Sequence, residues 1–530
     1  MNTTLAPATP ATRAARPAVR HGAVTAVVCI ALAAVTAAMS SLNVALPDIA
    51  RSTHASQTQL SWIIDAYSLV FAALLLPGGA LGDRYGRRRW LLIGLGIFGI
   101  GSAVAMTASD ANVLIVLRGV IGLGAALVMP ATLSTITGTF PPAQRVKAVS
   151  IWAGVAGGAA VLGVVVSGAL LEAFSWRSVF AVNIVLAALA LIGTFIVVPE
   201  SADKNAPRLD VGGALLSVVG LVALVYSIIE APTAGWLSAS TLVGIGLGLF
   251  VVVGFVRYEL RQTNPMLNPR IFKRHGLSAG SLSIFIQFFA FYGFIFLVLQ
   301  YLQIVRHDSA LIAAVSMLPM AATMMPVSRL APKLAAKFGS RQVCVTGLIG
   351  IAGGLVIIAQ MSATTSHWVM AVGLLVLGAG MGAAMTPATS AITSALPRRQ
   401  QGVASAMNDL SREVGGALGI AVLGSIMTAV YRNSLTLPGA PATVLDKARD
   451  SLAVAAHIGG PVAAKANSAF IDGFHLAFFV AAGAAVVAAI AVAILLPRRD
   501  AVVSADADDQ AVAGDEVEVE DRAAVASAGV

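Results

Sequence analysis

The stretch Gly79-Ala-Leu-Gly-Asp-Arg-Tyr-Gly-Arg-Arg-Arg89 sets one acid and four arginines between two apolar runs, Ile63 to Ala80, broken only by Asp65, and Trp90 to Ser109. Both runs are about as long as a bilayer crossing requires. A charge cluster so placed reads as a mechanical joint. Gly79 and Gly86 permit a tight turn where helices approach closely. Asp83 can cap the N-terminus of a neighbouring helix, and Arg84 and Arg87 to Arg89 hold the turn at an anionic membrane surface. The cluster is expected to be a conformational latch rather than an enzyme site.

Outward from this joint the rest of the chain has the same character. Hydrophobic residues make up 58% of 530 positions and charged ones 11%, well below the roughly 25% charge of a soluble domain. Fourteen apolar spans can be read, at 23–46, 59–81, 90–109, 112–137, 147–171, 178–198, 211–230, 238–257, 277–303, 309–332, 341–361, 367–394, 403–430 and 473–497. The fold class that follows is an all-α polytopic membrane protein.

Most of the 34 Lys and Arg residues fall on one side if the N-terminus is cytoplasmic and the number of spans is even. The expectation is a multi-pass protein of the inner (plasma) membrane with both termini cytoplasmic. The net charge of +9 then marks contact with an anionic inner leaflet rather than nucleic acid. The first span is too long for a signal-peptide core and is expected to stay uncleaved. Cys29 and Cys344 both lie in spans and offer no disulfide framework.

Two segments recur. Leu81-Gly-Asp-Arg-Tyr-Gly86-Arg is echoed by Leu334-Ala-Ala-Lys-Phe-Gly339-Ser-Arg341, and Met129-Pro-Ala-Thr by Thr386-Pro-Ala-Thr, each echo lying eight spans later. Two six-span halves separated by two extra helices follow, a 6+2+6 arrangement. The expected organisation is a cytoplasmic tail 1–22, an N-terminal bundle 23–198, an inserted pair with its flanking loops 199–276, a C-terminal bundle 277–497 with an outer loop 431–471, and an acidic disordered cytoplasmic tail 498–530. Within the outer loop, Ala442 to His457 reads as helical. Internal repeats of this kind place a substrate site near the midplane between halves.

The Gly-x-Leu-x-Asp-Arg-x-Gly-Arg-Arg spacing resembles the loop between helices 2 and 3 of the major facilitator superfamily. Leu209-Asp210-x-x-Gly, Tyr258-Glu259 and Asn264-Pro265-Met266-Leu267 resemble its fourteen-helix drug:proton antiporter family, over about residues 40 to 430. Trp62-Ile-x-Asp-x-Tyr-Ser-Leu is similar to the branch exporting quaternary-ammonium antiseptics. The resemblance implies a major facilitator fold and proton-coupled drug export by alternating access.

Intramembrane ionisable residues are functional candidates, because each costs roughly 2.5 to 3.5 kcal/mol to insert. Four are proposed for proton coupling: Asp65, Arg118, Asp409 and Glu413. Asp65 lies about one turn into the second span, where a carboxyl can exchange protons or face a cationic drug. Asp409 and Glu413, at i and i+4, share a helix face with Arg412 beside them, and two such acids would titrate as a pair. Arg118 opens Leu114-x-x-x-Arg-x-x-Ile-Gly, which looks like the family's second motif with Ile121 in place of glutamine, and a partner acid is expected for it. The resemblance assigns Asp65 and the Asp409/Glu413 positions to the acids of the antiseptic exporters.

In span 5 the small residues Gly154, Gly157, Gly158, Gly163, Ser167 and Gly168 correspond to the antiporter motif, but Val164 stands where proline is expected, so close packing without a kink is predicted. The resemblance aligns the family's first-span Asp with Ala38, and an acid that some antiseptic exporters carry in span 10 with Met324, favouring monovalent over divalent cations. Span 9 carries Phe285, Phe289, Tyr292 and Phe296 on one stripe with Gln303 beyond; these are the candidate drug-binding residues, suited to cation-π attraction.

The sequence carries no phosphate-binding loop, nucleophile triad or metal-ligating cluster, which argues against an ATP-driven pump or an enzyme. The expected partners are a small-molecule drug, protons and the bilayer, with no nucleic acid, no cofactor, no metal and a monomeric state. The reading is a proton-coupled exporter of lipophilic cations or antibiotics. A dedicated exporter of one endogenous metabolite or antibiotic, and a transport-inactive membrane sensor, are the alternatives.

Overall fold

A computed structural model describes residues 21–202, 210–263, 265, 267–395, 401–436 and 442–496; within its helices the side chains of 76, 83, 137–138, 142–147, 149–150, 153–154, 156–158, 161, 401–406 and 442–443 lie outside the described set. The expected tails 1–20 and 498–530, the Asp83 side chain of the latch, those of Gly154, Gly157 and Gly158, and Asn264 and Met266 therefore fall outside the described residues.

Among the described residues every regular element is a helix. The first half comprises α1 (His21–Thr53), α2 (Gln57–Tyr85), α3 (Arg87–Ala105), α4 (Ala111–Thr139), α5 (Pro142–Ala173) and α6 (Ser178–Val197). The inserted pair is α7 (Val211–Ala234) and α8 (Ala239–Glu259). The second half comprises α9 (His275–Gln300), α10 (Ala310–Val315), α11 (Leu318–Phe338), α12 (Ser340–Ala359), α13 (His367–Ser394), α14 (Gln401–Ser434), the short α15 (Ala442–Asp450) and α16 (Leu452–Ile458), and α17 (Gly460–Leu495). Among the described residues thirteen helices are long and apolar enough to cross a membrane when α10 and α11 are taken as one span. The 32-residue α5 makes the fourteenth crossing, and it runs unbroken past Val164, as the missing proline requires.

Local chemistry sets the helix ends. Ser56 and Gln59 form a reciprocal capping box at the start of α2, and Asp110 accepts from Asn112 and Val113 at the start of α4. The expected tenth span, 309–332, is instead broken. The α10 segment ends at Val315, and α11 starts at Leu318 with Pro319 in its first turn, where a missing N–H costs nothing. The last helix begins at Gly460, earlier than the expected 473, so residues 460–471 of the anticipated outer loop are an extension of α17.

In the first half α1 packs on α5 and α6, α2 on α4, and α3 on α4 and α6. In the second half α9 packs on α13, α14 and α17, while α12 packs on α13 and α17. The inserted pair is a hairpin of its own whose α7 rests on both α2 and α14, one helix from each half.

The recurrent sequence segments become recurrent geometry. Gly86 joins α2 to α3 at φ 116°, ψ 117°, and Gly339 joins α11 to α12 at φ 90°, ψ 142°. Such backbone conformations are open mainly to glycine. The two halves thus turn the same corner with the same residue.

Candidate functional site

Arg118 of α4 is fully buried beside α1 and α2. Its Nε donates to the Ile63 carbonyl at 2.8 Å and its Nη1 to the Ala38 carbonyl at 3.5 Å. The guanidinium lies 4.4 Å from the centroid of the Tyr67 ring, and the Tyr67 hydroxyl donates to the Val35 carbonyl at 3.0 Å. Among the described residues no carboxylate pairs with Arg118, contrary to the partner acid expected from sequence. Two helix carbonyls and an aromatic face meet the charge instead, while Nη2 has no hydrogen-bond partner among the described residues. A planar guanidinium with donors in a fixed fork suits that task.

Across the seam, Arg412 of α14 does have carboxylate partners. Its Nε lies 3.0 Å from Oε1 of Glu413 and its Nη2 3.6 Å from Oδ1 of Asp409. Nη2 also reaches the sulfur of Met129 in the opposite half at 3.7 Å, and the guanidinium stands 5.7 Å from the centre of the Phe288 ring. Glu413 is wholly buried, and its second oxygen has no hydrogen-bond partner.

Asp65 is fully buried, and neither carboxyl oxygen has a hydrogen-bond partner. It shares a face of α2 with Trp62 and Leu69, one turn away on either side. Those two residues pack against Val225 and Ile229 of α7 and Leu418 and Ala421 of α14. Ser61, on the flank of the same face, comes close to Gly424 of α14. Asp65 thus lies where both halves and the inserted helix converge.

The aromatic stripe of α9 divides. Tyr292 points its hydroxyl at the Met39 sulfur of α1, 4.0 Å away, and lies within electrostatic reach of Arg412 and Glu413. Phe296 is fully buried close to Gly424. Phe285 and Phe289 stack with centroids 6.4 Å apart. Gln303 donates from Nε2 to the Val44 carbonyl of α1 at 2.8 Å. The structure therefore brings Tyr292 to the ionic cluster and places Gln303 in a contact between the halves near one membrane face.

That contact belongs to a seal. The Glu172 carboxylate at the end of α5 accepts from the Leu311 N–H of α10 at 3.2 Å, and α5 and α16 of opposite halves touch α10 and α1 respectively. A cleft of about 390 Å³ lies here, lined in part by Asp48, Glu172, His307, Asp308 and His457. The halves are closed at the end that carries the α1–α2 turn.

At the opposite end, the expected latch residue Gly86 holds its positive φ against Glu200, whose Oε1 accepts from the Arg88 N–H at 3.2 Å. Arg87 donates its N–H to the Ser201 carbonyl at 2.9 Å, and Arg88 donates from its guanidinium to the Phe195 carbonyl at 2.6 Å. Gly79 is less crowded than its neighbour: a Cβ at Gly78 would stand 2.5 Å from the Ala126 carbonyl oxygen, whereas one at Gly79 would be 3.4 Å from Pro130.

Sequence reasoning missed Tyr67, Phe288, Met129, Met39 and Glu200. Tyr67 was within reach, two residues beyond Asp65 in the same motif. The others act through contacts between segments far apart in sequence.

Two six-helix bundles with paired and unpaired charges buried at their seam have the architecture of a secondary transporter. A family model described as Major Facilitator Superfamily matches residues 28–420, and the chain belongs to that superfamily. The chain is 33% identical over 460 residues to the multidrug resistance protein Stp of Mycobacterium tuberculosis, covering 83% of this chain and 85% of that one. It is 32% identical over 443 residues to the methyl viologen resistance protein SmvA of Salmonella typhimurium, covering 82% and 89%. Among solved structures, an inward-facing, unoccupied bacterial homologue of the human lysosomal transporter Spinster superposes with a TM-score of 0.63 at 18% identity, over 90% of this chain and 96% of that one. This last likeness concerns the fold alone.

Proposed function

We propose that the chain is a proton-driven exporter of lipophilic organic cations, working by alternating access in the inner membrane with both termini in the cytoplasm. The carrying observation is the balance of charge at the seam. Three carboxyls, Asp65, Asp409 and Glu413, are buried or nearly so with two guanidiniums, Arg118 and Arg412. With every group ionised the seam carries one negative charge in excess, and one proton or one monovalent cation neutralises it. A carboxylate enclosed without a donor carries an uncompensated desolvation cost. Taking a proton and meeting a cation are the two ways to relieve it, and they are the two halves of an exchange.

In this reading the seal at Gln303–Val44 and Glu172–Leu311 faces outward, and the described state is closed to the outside. A cation from the cytoplasm meets Tyr292, Phe288 and the carboxyl cluster. Rearrangement opens the outer seal, and protons from outside displace the cation from the acids. Arg118, whose charge is met by backbone carbonyls, stays charged throughout and holds the local potential fixed. Multidrug and methyl viologen resistance, named for the relatives Stp and SmvA, support a cationic or broad cargo.

The structure also bears on charge preference. Arg412 engages both Asp409 and Glu413, which leaves the cluster one negative charge in excess, so a monovalent cation is balanced more fully there than a dication such as the methyl viologen named for SmvA. The test is ethidium export in proteoliposomes under an imposed proton gradient. The wild type should export against the dye gradient, and Asp65→Asn should fall at least about tenfold, since the amide keeps the shape but exchanges no proton. Wild-type rate and pH dependence in Asp65→Asn would remove that residue from the mechanism. Gradient-independent export by the unaltered protein would overturn the reading itself.

A further inference from the structure

Outside the ionic cluster, one seam combines aromatic faces with acids. Trp62 of α2 and Tyr226 of α7 have ring centroids 5.7 Å apart at 45°. The Trp62 indole N–H donates to Oε1 of Glu230 at 3.1 Å. Tyr226 and Glu230 are i and i+4 on α7 and so share a face. The Tyr226 ring is 54% exposed on the flank of the molecule. Between these two residues, the Ser425 hydroxyl donates to the Ile228 carbonyl at 2.8 Å and ties α7 to α14.

Behind this group, one turn further along the same face of α2, stands Asp65, enclosed and without a hydrogen-bond partner on either oxygen. Interfacial anchoring accounts for a Trp and a Tyr near the end of a membrane helix. It does not account for a carboxylate held against the indole, or for a second carboxyl buried behind the pair. Aromatic faces beside carboxylates attract organic cations.

We propose that the α2–α7 seam is a second organic-cation site, with Trp62, Tyr226 and Glu230 at its mouth and Asp65 at its inner end. The inserted helix α7 would then be part of the recognition surface, offering a cation dissolved in the bilayer a route to the seam from the side. The inference rests on the cation-exporter reading for its choice of ligand. The chemistry recognised is a lipophilic cation or an amine-bearing lipid headgroup, and the two sources can be separated.

The experiment measures equilibrium binding of radiolabelled tetraphenylphosphonium to the full chain in phosphatidylglycerol nanodiscs. The wild type should show two classes of site. In Glu230→Gln, where the amide can still accept from the indole, the affinity of one class should fall about tenfold, equivalent to about 1.4 kcal/mol. Glu230→Asp should restore part of it. Tyr226→Leu, a lipid-facing change that leaves the Trp62–Glu230 hydrogen bond in place, should weaken the same class. Repeating the titration with phosphatidylethanolamine in the disc identifies the headgroup as occupant if the Glu230-dependent class is displaced, and a drug-like cation if it is not. A single class unaffected by Glu230→Gln and Tyr226→Leu would overturn this proposal and leave the exporter reading intact. An absence of any binding to the wild type would overturn both.

Discussion

The two halves solve the same problem, an arginine in the membrane, in opposite ways. In the first half Arg118 is met by the Ile63 and Ala38 carbonyls and the Tyr67 ring. In the second Arg412 is met by Glu413 and Asp409. Carbonyls do not titrate and carboxylates do, so in the proposed exchange the first arrangement serves as a fixed charge and the second as an exchangeable one. The two arginines stand on helices that the repeat does not pair, since the echo of α4 lies in α13 and Arg412 belongs to α14. Asp65 belongs to the first half by sequence, but its face is turned to α14 and α7, so it joins the exchangeable side.

The comparison breaks most severely at Arg118. In Arg118→Lys a single ammonium cannot bridge carbonyls on two helices, and proton-driven export should fall by about a hundredfold or more, some 2.7 kcal/mol of activation. Retention of more than half the initial rate would show that only charge matters there. Glu413→Gln comes next. Export driven by the proton gradient should drop about thirtyfold and lose its pH dependence, while drug–drug counterflow continues. A variant that still follows external pH would move the exchangeable proton elsewhere.

Gly86→Val should slow turnover about tenfold with equilibrium drug binding near normal, because a branched residue at φ 116° is strained by about 1–2 kcal/mol and meets Glu200. Reduced affinity with normal turnover per bound drug would assign the joint another role. The smallest effect is expected at Ala38→Asp. From sequence alone that acid should help divalent cargo. In the structure the Ala38 backbone already faces Arg118, so a carboxylate there would engage the guanidinium first, raising the melting temperature by a few degrees with less than about a twofold change in divalent export. A large gain for divalent cations would mean that the carbonyl cradle yields to cargo.

Much of this organisation was legible in advance because membranes impose few solutions. Span length, the basic joint at 79–89 and its echo at 334–341 carry the helices, the repeat and the inserted pair. Acids and arginines inside spans stand out by their cost alone, so Asp65, Arg118, Asp409 and Glu413 could be picked without coordinates. What solvates a charge is less visible. Backbone carbonyls leave no trace in a sequence, so the sequence suggests for Arg118 a partner acid that is absent among the described residues. The role of Glu200 depends on the return of the α6 end to the α2–α3 corner. The break between α10 and α11 falls just before Pro319, which inside a continuous helix would lose a hydrogen bond and crowd the preceding turn.

The end of α9 is the five-residue π turn Tyr301–Val305, and Gln303, which touches α1, lies within it. A π turn accommodates one residue more than an α turn. Relaxing it to α geometry would turn the chain beyond it by about 100° without unwinding the helix. Gln303 would swing off the Val44 carbonyl, and the segment leading to α10 would rotate with it. In the proposed cycle this seal would then be fastened by a local overlap in winding, to be released by twisting a few residues rather than by lifting a whole bundle.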